Sequence, residues 1–163
     1  MAEPNIVSKL IKDFPSIGFE AGNSYHWSPK NSIVYYRADH SEDVQAWAIL
    51  HEVGHALLGH KSFGSDFDLV KMEVLAWEKA KSLASKYSIN IEENHIQDCL
   101  DTYRDWLDKR SLCPVCNTKS FQTAKSPNYR CFNCHAVWKV TPSRFCRTYR
   151  SKQTTSELIY SGF

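Results

Sequence analysis

Apolar residues recur along the chain at two spacings, and these spacings predict where helices and strands form. Steps of three and four residues, which are typical of helices, occur in four segments. The predicted helices cover residues 6–14, 41–58, 66–87 and 90–109. Between Tyr25 and Tyr36, aromatic and β-branched residues on either side of a turn at 29–31 predict a β-hairpin. This order of elements predicts an α+β fold in which helices pack on a small β-sheet.

The second predicted helix is apolar almost all round, which indicates that it is buried, yet it carries His51, Glu52 and His55. Buried polar groups need partners, because an unpaired one is costly. The two histidines are four residues apart on one helix face, so both can reach one metal ion. The pattern H-E-x-x-H is typical of zinc proteases, whose glutamate takes a proton from zinc-bound water. We therefore predict His51 and His55 as zinc ligands and Glu52 as the catalytic base; the alternative is a chance match.

A catalytic zinc ion usually has three protein ligands, so a third ligand is expected. His60 is a poor candidate, because nine residues after His51 it would point to the opposite side of a continuous helix. Glu73 lies on the apolar stripe of the third predicted helix, whereas Glu78 lies outside it. The stripe consists of Leu69, Met72, Ala76, Ala80, Leu83 and Tyr87. Glu73 is the predicted third ligand, and Glu78 is the reserve candidate. The alternative interpretation of Glu73 is a salt-bridged glutamate at the edge of the core.

Two C-x-x-C motifs follow the last predicted helix and indicate a second metal site of a different kind. They are formed by Cys113 with Cys116 and by Cys131 with Cys134. Four thiolates close a tetrahedral shell around Zn²⁺ and leave no open position, so this zinc is expected to be structural. Short strands at 129–130 and 136–140 complete a zinc ribbon. A redox pair and a disulfide pair are the weaker alternatives.

The length of 163 residues allows one domain of ordinary size and a small addition. We expect a metal-binding domain over 1–110, the zinc ribbon over 111–141, and a loosely ordered basic tail over 142–163. The chain shows no basic and apolar leader, and no apolar run approaches the roughly 18 residues of a membrane span. A cytoplasmic protein without membrane contact is therefore expected. Cys99 is expected to be a small core residue.

Charge is distributed unevenly along the chain. Residues 1–109 hold 11 Lys/Arg and 17 Asp/Glu, whereas residues 110–163 hold 9 Lys/Arg and a single acidic residue. The basic excess is concentrated near the C-terminus in Arg144, Arg147, Arg150 and Lys152, with Phe145 and Tyr149 between them. Basic residues interleaved with aromatic ones suit phosphates and stacked bases, so nucleic acid is a predicted partner. The alternatives are a tail that only aids solubility and a ribbon that docks a protein. No role is predicted for Cys146.

The segment between Ser32 and Ala80 resembles the ImmA/IrrE-type metallopeptidases. The matching features are the strand Ile33–Tyr36, the run His51–His60 and a glutamate in an alanine-bearing helix. The resemblance implies a minimal zincin fold and proteolysis of regulatory proteins, often repressors. A zinc protease joined to a C-terminal ribbon is also similar to SprT-like proteases, which act near DNA.

The predicted function is that of a zinc-dependent endopeptidase that acts on a regulatory or nucleic-acid-associated protein, with the ribbon as a targeting module. The edge of the strand at 32–36 is expected to align an extended peptide substrate by β-augmentation. The residue that stabilises the oxyanion stays open between His95, His60 and a tyrosine. The alternative function is a nucleic-acid- or protein-binding regulator that uses a zincin scaffold without catalysis.

Overall fold

The structure is a computed structural model in which residues 5–123, 126–142, 144 and 147–153 are described. Its elements are α1 Ile6–Asp13, β1 Gly18–Ala21, β2 His26–Ser28, β3 Ile33–Tyr36, α2 Glu42–Leu57, α3 Asp66–Lys86, α4 Glu93–Ser111, β4 Phe121–Gln122, β5 Tyr129–Arg130, β6 Val137–Val140 and β7 Arg150–Lys152. The predicted α+β class is confirmed. Within the described ranges, no helix has the length and apolar character that crossing a bilayer requires. Phe145 and Cys146 lie outside the described residues.

The chain divides into two compact units. The first comprises residues 1–62 and 71–98, and the second comprises 63–70 and 99–163. The first turn of α3 and the later part of α4 therefore belong to the same unit as the cysteine motifs. The boundary predicted at residue 110 lies inside this second unit.

The sheet of the first unit has three strands in the order β1-β3-β2. The hairpin predicted between Tyr25 and Tyr36 is confirmed, because β2 pairs antiparallel with β3. The pattern did not predict β1, which pairs parallel with β3. The free edge expected for residues 32–36 is therefore wrong: both sides of β3 are paired, and the free edge next to the hairpin belongs to β2.

The core of the first unit forms where α1, α2, α3 and the sheet meet. Its fully buried side chains are Leu10, Val34, Ile49, Leu50, Val53, Ala76 and Ala80. The buried position expected for α2 is confirmed for residues 46–55, which are buried or half-buried, whereas its first turn at 42–44 and Leu57 and Leu58 at its end are exposed. The other helices follow the predicted spans closely, except that α4 begins at Glu93 and not at Asn90. Packing of these apolar faces places the polar residues of α2 in a largely dry environment.

The sheet of the second unit is antiparallel, with strand order β4-β5-β6-β7. The strands predicted at 129–130 and 136–140 are confirmed as β5 and β6. The tail predicted to be loosely ordered over 142–163 contains β7, which pairs with β6 through Trp138 and Lys152. The sequence pattern did not indicate β7, because the three residues of this strand show no alternation of apolar and polar side chains. The pairing of β7 depends on backbone hydrogen bonds and not on burial of side chains.

A buried polar network joins three elements of the second unit. Asp66 Oδ2 accepts hydrogen bonds from Arg110 Nε at 2.6 Å and from the Tyr129 hydroxyl at 2.5 Å. Arg110 Nη1 also donates to the carbonyl oxygen of Thr141. All three members of the network are more than nine-tenths buried. Such a network is favourable only when complete, since each lost partner leaves a buried charge or hydroxyl unpaired.

Candidate metal centres

Helices α2 and α3 bring three side chains of metal-binding type together in the first unit. The distances are 3.1 Å from His51 Nε2 to Glu73 Oε2, 3.1 Å from His55 Nε2 to His51 Nε2, and 3.5 Å from His55 Nε2 to Glu73 Oε1. Two ligands of a tetrahedral zinc ion, each about 2.0–2.1 Å from the metal, are roughly 3.3 Å apart. The two ring nitrogens and the two oxygens of the Glu73 carboxylate therefore have about the mutual spacing that one such ion requires.

The close approach of α2 and α3 explains why Glu73 reaches the histidines. A Cβ atom added at Gly54 would lie 2.6 Å from the carbonyl oxygen of Ala76, so only glycine fits there. Ala76 follows Glu73 by three residues on α3 and has no exposed surface. Glu73 is 6% exposed, whereas Glu78 is an exposed residue of the same helix. The structure thus brings Glu73, and not Glu78, to His51 and His55.

The electrostatics of this centre suit a cation. Burial raises the pKa of Glu73, but hydrogen bonds to the rings of His51 and His55 outweigh burial and lower the pKa to about 2. Burial lowers the pKa of His55, and its hydrogen bond to Glu73 more than reverses this, so the pKa lies above the usual value. Glu73 is therefore ionised at neutral pH and supplies one negative charge, while a metal ion would replace the proton shared with the histidines.

Glu52 follows His51 on α2, and its carboxylate is hydrogen-bonded to a strand of the sheet. Its Oε2 accepts a hydrogen bond of 2.7 Å from the backbone N–H of Trp27 in β2. The Trp27 indole Nε1 donates to the carbonyl oxygen of His60 at 3.0 Å. Trp27 therefore ties the edge strand to both Glu52 and the end of α2. The sequence did not indicate a role for Trp27 at this centre, because its only signal was a place in the predicted hairpin.

His60 lies beside His55 and outside the ligand set. Gly59 has a φ of 66°, and its N–H and that of His60 donate back to the carbonyl oxygens of Ala56 and His55. This Schellman arrangement ends α2 and turns the chain back, so that His60 Nδ1 is 2.9 Å from His55 Nδ1. When His55 binds a metal through Nε2, its Nδ1 carries the proton and donates to His60. His60 is thus placed to orient His55.

The surroundings of His51 consist mainly of aromatic rings. Its ring centroid is 4.3 Å from that of Trp77, and Trp77 in turn packs edge-on against His95 at 5.6 Å. His95 also contacts Trp47, at 4.9 Å. The Nδ1 atom of His51 has no hydrogen-bond partner among the described residues. His95 therefore packs within an aromatic cluster behind Trp77, and the structure does not place it among the ligand atoms.

The four cysteines of the second unit form the other centre. The Sγ–Sγ distances are 3.5 Å from Cys113 to Cys134 and 3.5 Å from Cys116 to Cys131. Thiolates bound at about 2.3 Å to a tetrahedral zinc ion are roughly 3.8 Å apart, so a small expansion would admit the ion. The group can therefore hold a metal ion, and its four protein ligands would leave no position for a substrate.

The two cysteine motifs have the same backbone turn. Asn117 and His135 each follow the second cysteine of a motif and have positive φ angles of 57° and 60°. The N–H of each donates to the carbonyl oxygen of the first cysteine, at 3.0 Å for Asn117 and 3.1 Å for His135. In addition, the N–H groups of Val115 and Cys134 point to the first sulfur of their motif at 3.4 Å. Amide donors of this kind stabilise thiolates, which are the form that binds metals.

The chain matches no model of a known protein family, and it matches neither a curated protein nor a solved structure. The resemblance to ImmA/IrrE-type metallopeptidases and the minimal zincin fold therefore stay predictions.

Proposed function

We propose that this chain is a zinc-dependent endopeptidase. His51, His55 and Glu73 hold the catalytic ion, and Glu52 is the general base. The observation that carries the proposal is the convergence of His51, His55 and Glu73 at about tetrahedral spacing, with Glu52 as the residue after His51 on the same helix. Zinc bound at this centre would polarise the scissile carbonyl and make its bound water more acidic.

The role of Glu52 follows from how its carboxylate is held. One oxygen is fixed by the Trp27 amide, so the other can accept a proton from water beside the metal ligands. The protonated carboxyl group can then donate that proton to the leaving amine. Glu52 acts as base and then as acid without a change in position.

The free edge of β2 supports a peptide as substrate. In an antiparallel pair, the N–H and C=O of one residue point to the same side. The Trp27 N–H points to Glu52 and not to β3, so its carbonyl group also points to the free edge. An extended peptide that pairs with this edge would pass beside Glu52 and the metal ligands. The substrate class we infer is an extended, unfolded segment of a protein, and the predicted source is a regulatory or nucleic-acid-associated protein.

The proposed activity is tested with the zinc-loaded chain and a mixture of unstructured peptides, with products identified by mass spectrometry. Cleavage that disappears with a zinc chelator and returns with added zinc is the expected result. Failure of the zinc-loaded chain to cleave any peptide across neutral pH would contradict the proposal.

Glu73→Gln is expected to weaken zinc binding at the first centre by at least about 100-fold, because an amide is a poor replacement for an ionised ligand. Glu78→Gln is the matched control: it makes the same change on the same helix at an exposed position, and its zinc affinity should equal that of the wild type. Zinc titration against a competing chelator measures both. The opposite ranking would show that Glu73 is not the ligand.

Gly54→Ala is expected to push α3 away from α2, because its Cβ would overlap the Ala76 carbonyl oxygen. Overpacking of this kind typically costs about 1–3 kcal/mol. The displacement should also move Glu73 away from the histidines and weaken zinc binding. Gly22→Ala is the control, since its Cβ would make only an ordinary contact of 3.6 Å with Tyr35. Urea unfolding and zinc titration should both separate the two variants; equal behaviour would refute the close-packing explanation.

A further inference from the structure

A cavity of about 630 Å³ in the second unit has four cationic side chains among its described lining residues. Lys109 comes from α4, and Arg144, Arg147 and Arg150 come from the segment that follows β6. Among its described lining residues, Asp105 is the one carboxylate, so the formal charge of the lining is +3. Clustering of like charges is unfavourable without a ligand, which indicates that the cavity suits an anion.

Two of the arginines are held in place by neighbouring groups. Arg144 Nη1 donates to Thr102 Oγ1 at 3.1 Å, and its guanidinium lies 3.9 Å from the ring centroid of Tyr103. Arg150 Nη1 donates to the carbonyl oxygen of Leu112 at 2.8 Å. Because these contacts restrict the side chains before any ligand arrives, less conformational entropy is lost when an anion binds.

A buried hydrogen-bond donor also belongs to the lining of this cavity. Trp106 is 7% exposed, and its Nε1 has no hydrogen-bond partner among the described residues. A buried hydrogen-bond donor without an acceptor destabilises a folded protein. An anionic ligand in the cavity has acceptor oxygens of the kind that this donor lacks.

We propose that this cavity binds phosphate groups of a single-stranded nucleic acid. Arginine supplies three of the four cations, and its planar fork matches two phosphate oxygens. Tyr149 is 58% exposed and lies beside Arg147, at 5.5 Å from guanidinium carbon to ring centroid, where an unpaired base can stack. A free phosphate ion would leave this aromatic surface unused, which favours the nucleic acid.

The structure changes the set of residues that the sequence indicated. Arg144, Arg147 and Arg150 were predicted to contact phosphate and line the cavity, whereas Lys152 is not among the lining residues. Lys109 and Trp106 are additions from α4, which the sequence pattern marked only as a helix. The site is therefore made by a helix and by the segment after the ribbon together.

The test uses the full chain with both metals bound, and a short labelled single-stranded oligonucleotide in a salt series followed by fluorescence anisotropy. The double variant Lys109→Gln, Arg147→Gln should flatten the slope of log affinity against log salt by roughly 1.4, since each phosphate contact contributes about 0.7 for single strands. The matched control is Arg130→Gln, Lys139→Gln, which removes the same charge from exposed positions of the same unit outside the cavity lining. Its slope should equal that of the wild type.

Further binding measurements distinguish a nucleic acid from the other possible ligands. Tyr149→Leu should lower oligonucleotide affinity roughly tenfold and leave binding of inorganic phosphate unchanged, because only a base can stack. Equal loss in the cavity and control variants, or no binding by the wild type, would overturn the proposal. Polyglutamate binding as tight as oligonucleotide binding would also overturn it, in favour of an acidic protein. Glu52→Gln should bind the oligonucleotide like the wild type, so the result does not depend on peptidase activity.

Discussion

Replacing Glu52 with glutamine is expected to abolish peptide hydrolysis and to leave zinc at the first centre. The substitution keeps an oxygen that can accept the hydrogen bond from the Trp27 amide, so the position of the side chain should not change. The metal ligands are other residues, so the ion should remain. What is lost is a base for the attacking water, and removal of a general base typically lowers the rate about 10²–10⁴-fold. Turnover of a peptide substrate and zinc content per chain measure the two effects separately.

The matched control for this prediction is Glu42→Gln. Glu42 lies in the first turn of the same helix and is exposed, so the variant makes the same change of charge away from the ligands. Its rate should equal that of the wild type. A Glu52→Gln chain that cleaves peptides at the wild-type rate would show that Glu52 is not the base. Loss of zinc in the same variant would instead indicate a structural role for Glu52.

Replacing Cys113 with serine is expected to remove the metal from the second unit and to unfold that unit. Cys113 and Cys131 are fully buried in one cluster with Tyr129 and Trp138, whose rings stack at 5.4 Å. We expect this core to be too small to fold without a metal ion, because structural zinc contributes roughly 10–16 kcal/mol in small zinc domains. We therefore expect two metal ions per wild-type chain and one per variant chain.

The extent of this unfolding differs from what the sequence suggested. A boundary at residue 110 predicts that residues 1–109 stay folded without the ribbon. Because residues 63–70 and 99–111 belong to the second unit, we expect them to lose hydrogen-exchange protection together with the ribbon. Asp66 and Arg110 in these segments would lose Tyr129, a partner in their buried network.

Cys99→Ser is the control, because it makes the same atomic change at a half-buried cysteine outside the four-thiol group. Its metal content and exchange protection should match those of the wild type. Retention of two metal ions by Cys113→Ser would contradict the structural role of this centre. Protection retained by residues 99–111 in a metal-depleted second unit would support the predicted boundary at residue 110.

Local spacing was enough to predict the elements that carry the chemistry. Positions i and i+4 on a helix share a face whatever the rest of the chain does, so His51 and His55 could be paired from the sequence. The C-x-x-C spacing similarly specifies a short turn that directs two sulfurs to one point. Glu73 was chosen because an ionisable residue on an apolar stripe must have a partner. In each case, the prediction depends only on residues that are close in sequence or lie on a single helix face.

Only the tertiary structure decided how distant segments meet. The parallel pairing of β1 with β3 closes the edge that the pattern left open on β3 and makes β1 and β2 the edge strands. The contact of Gly54 with Ala76 sets the distance between α2 and α3, and Trp27 reaches Glu52 across 25 positions of sequence. The sequence determined which side chains could bind metal and which helix faces are apolar, because these properties are local. The order of the strands, the distance between α2 and α3 and the formation of the basic cavity depend on shape complementarity between segments far apart in the chain. The periodicity of apolar residues contains no information about that complementarity.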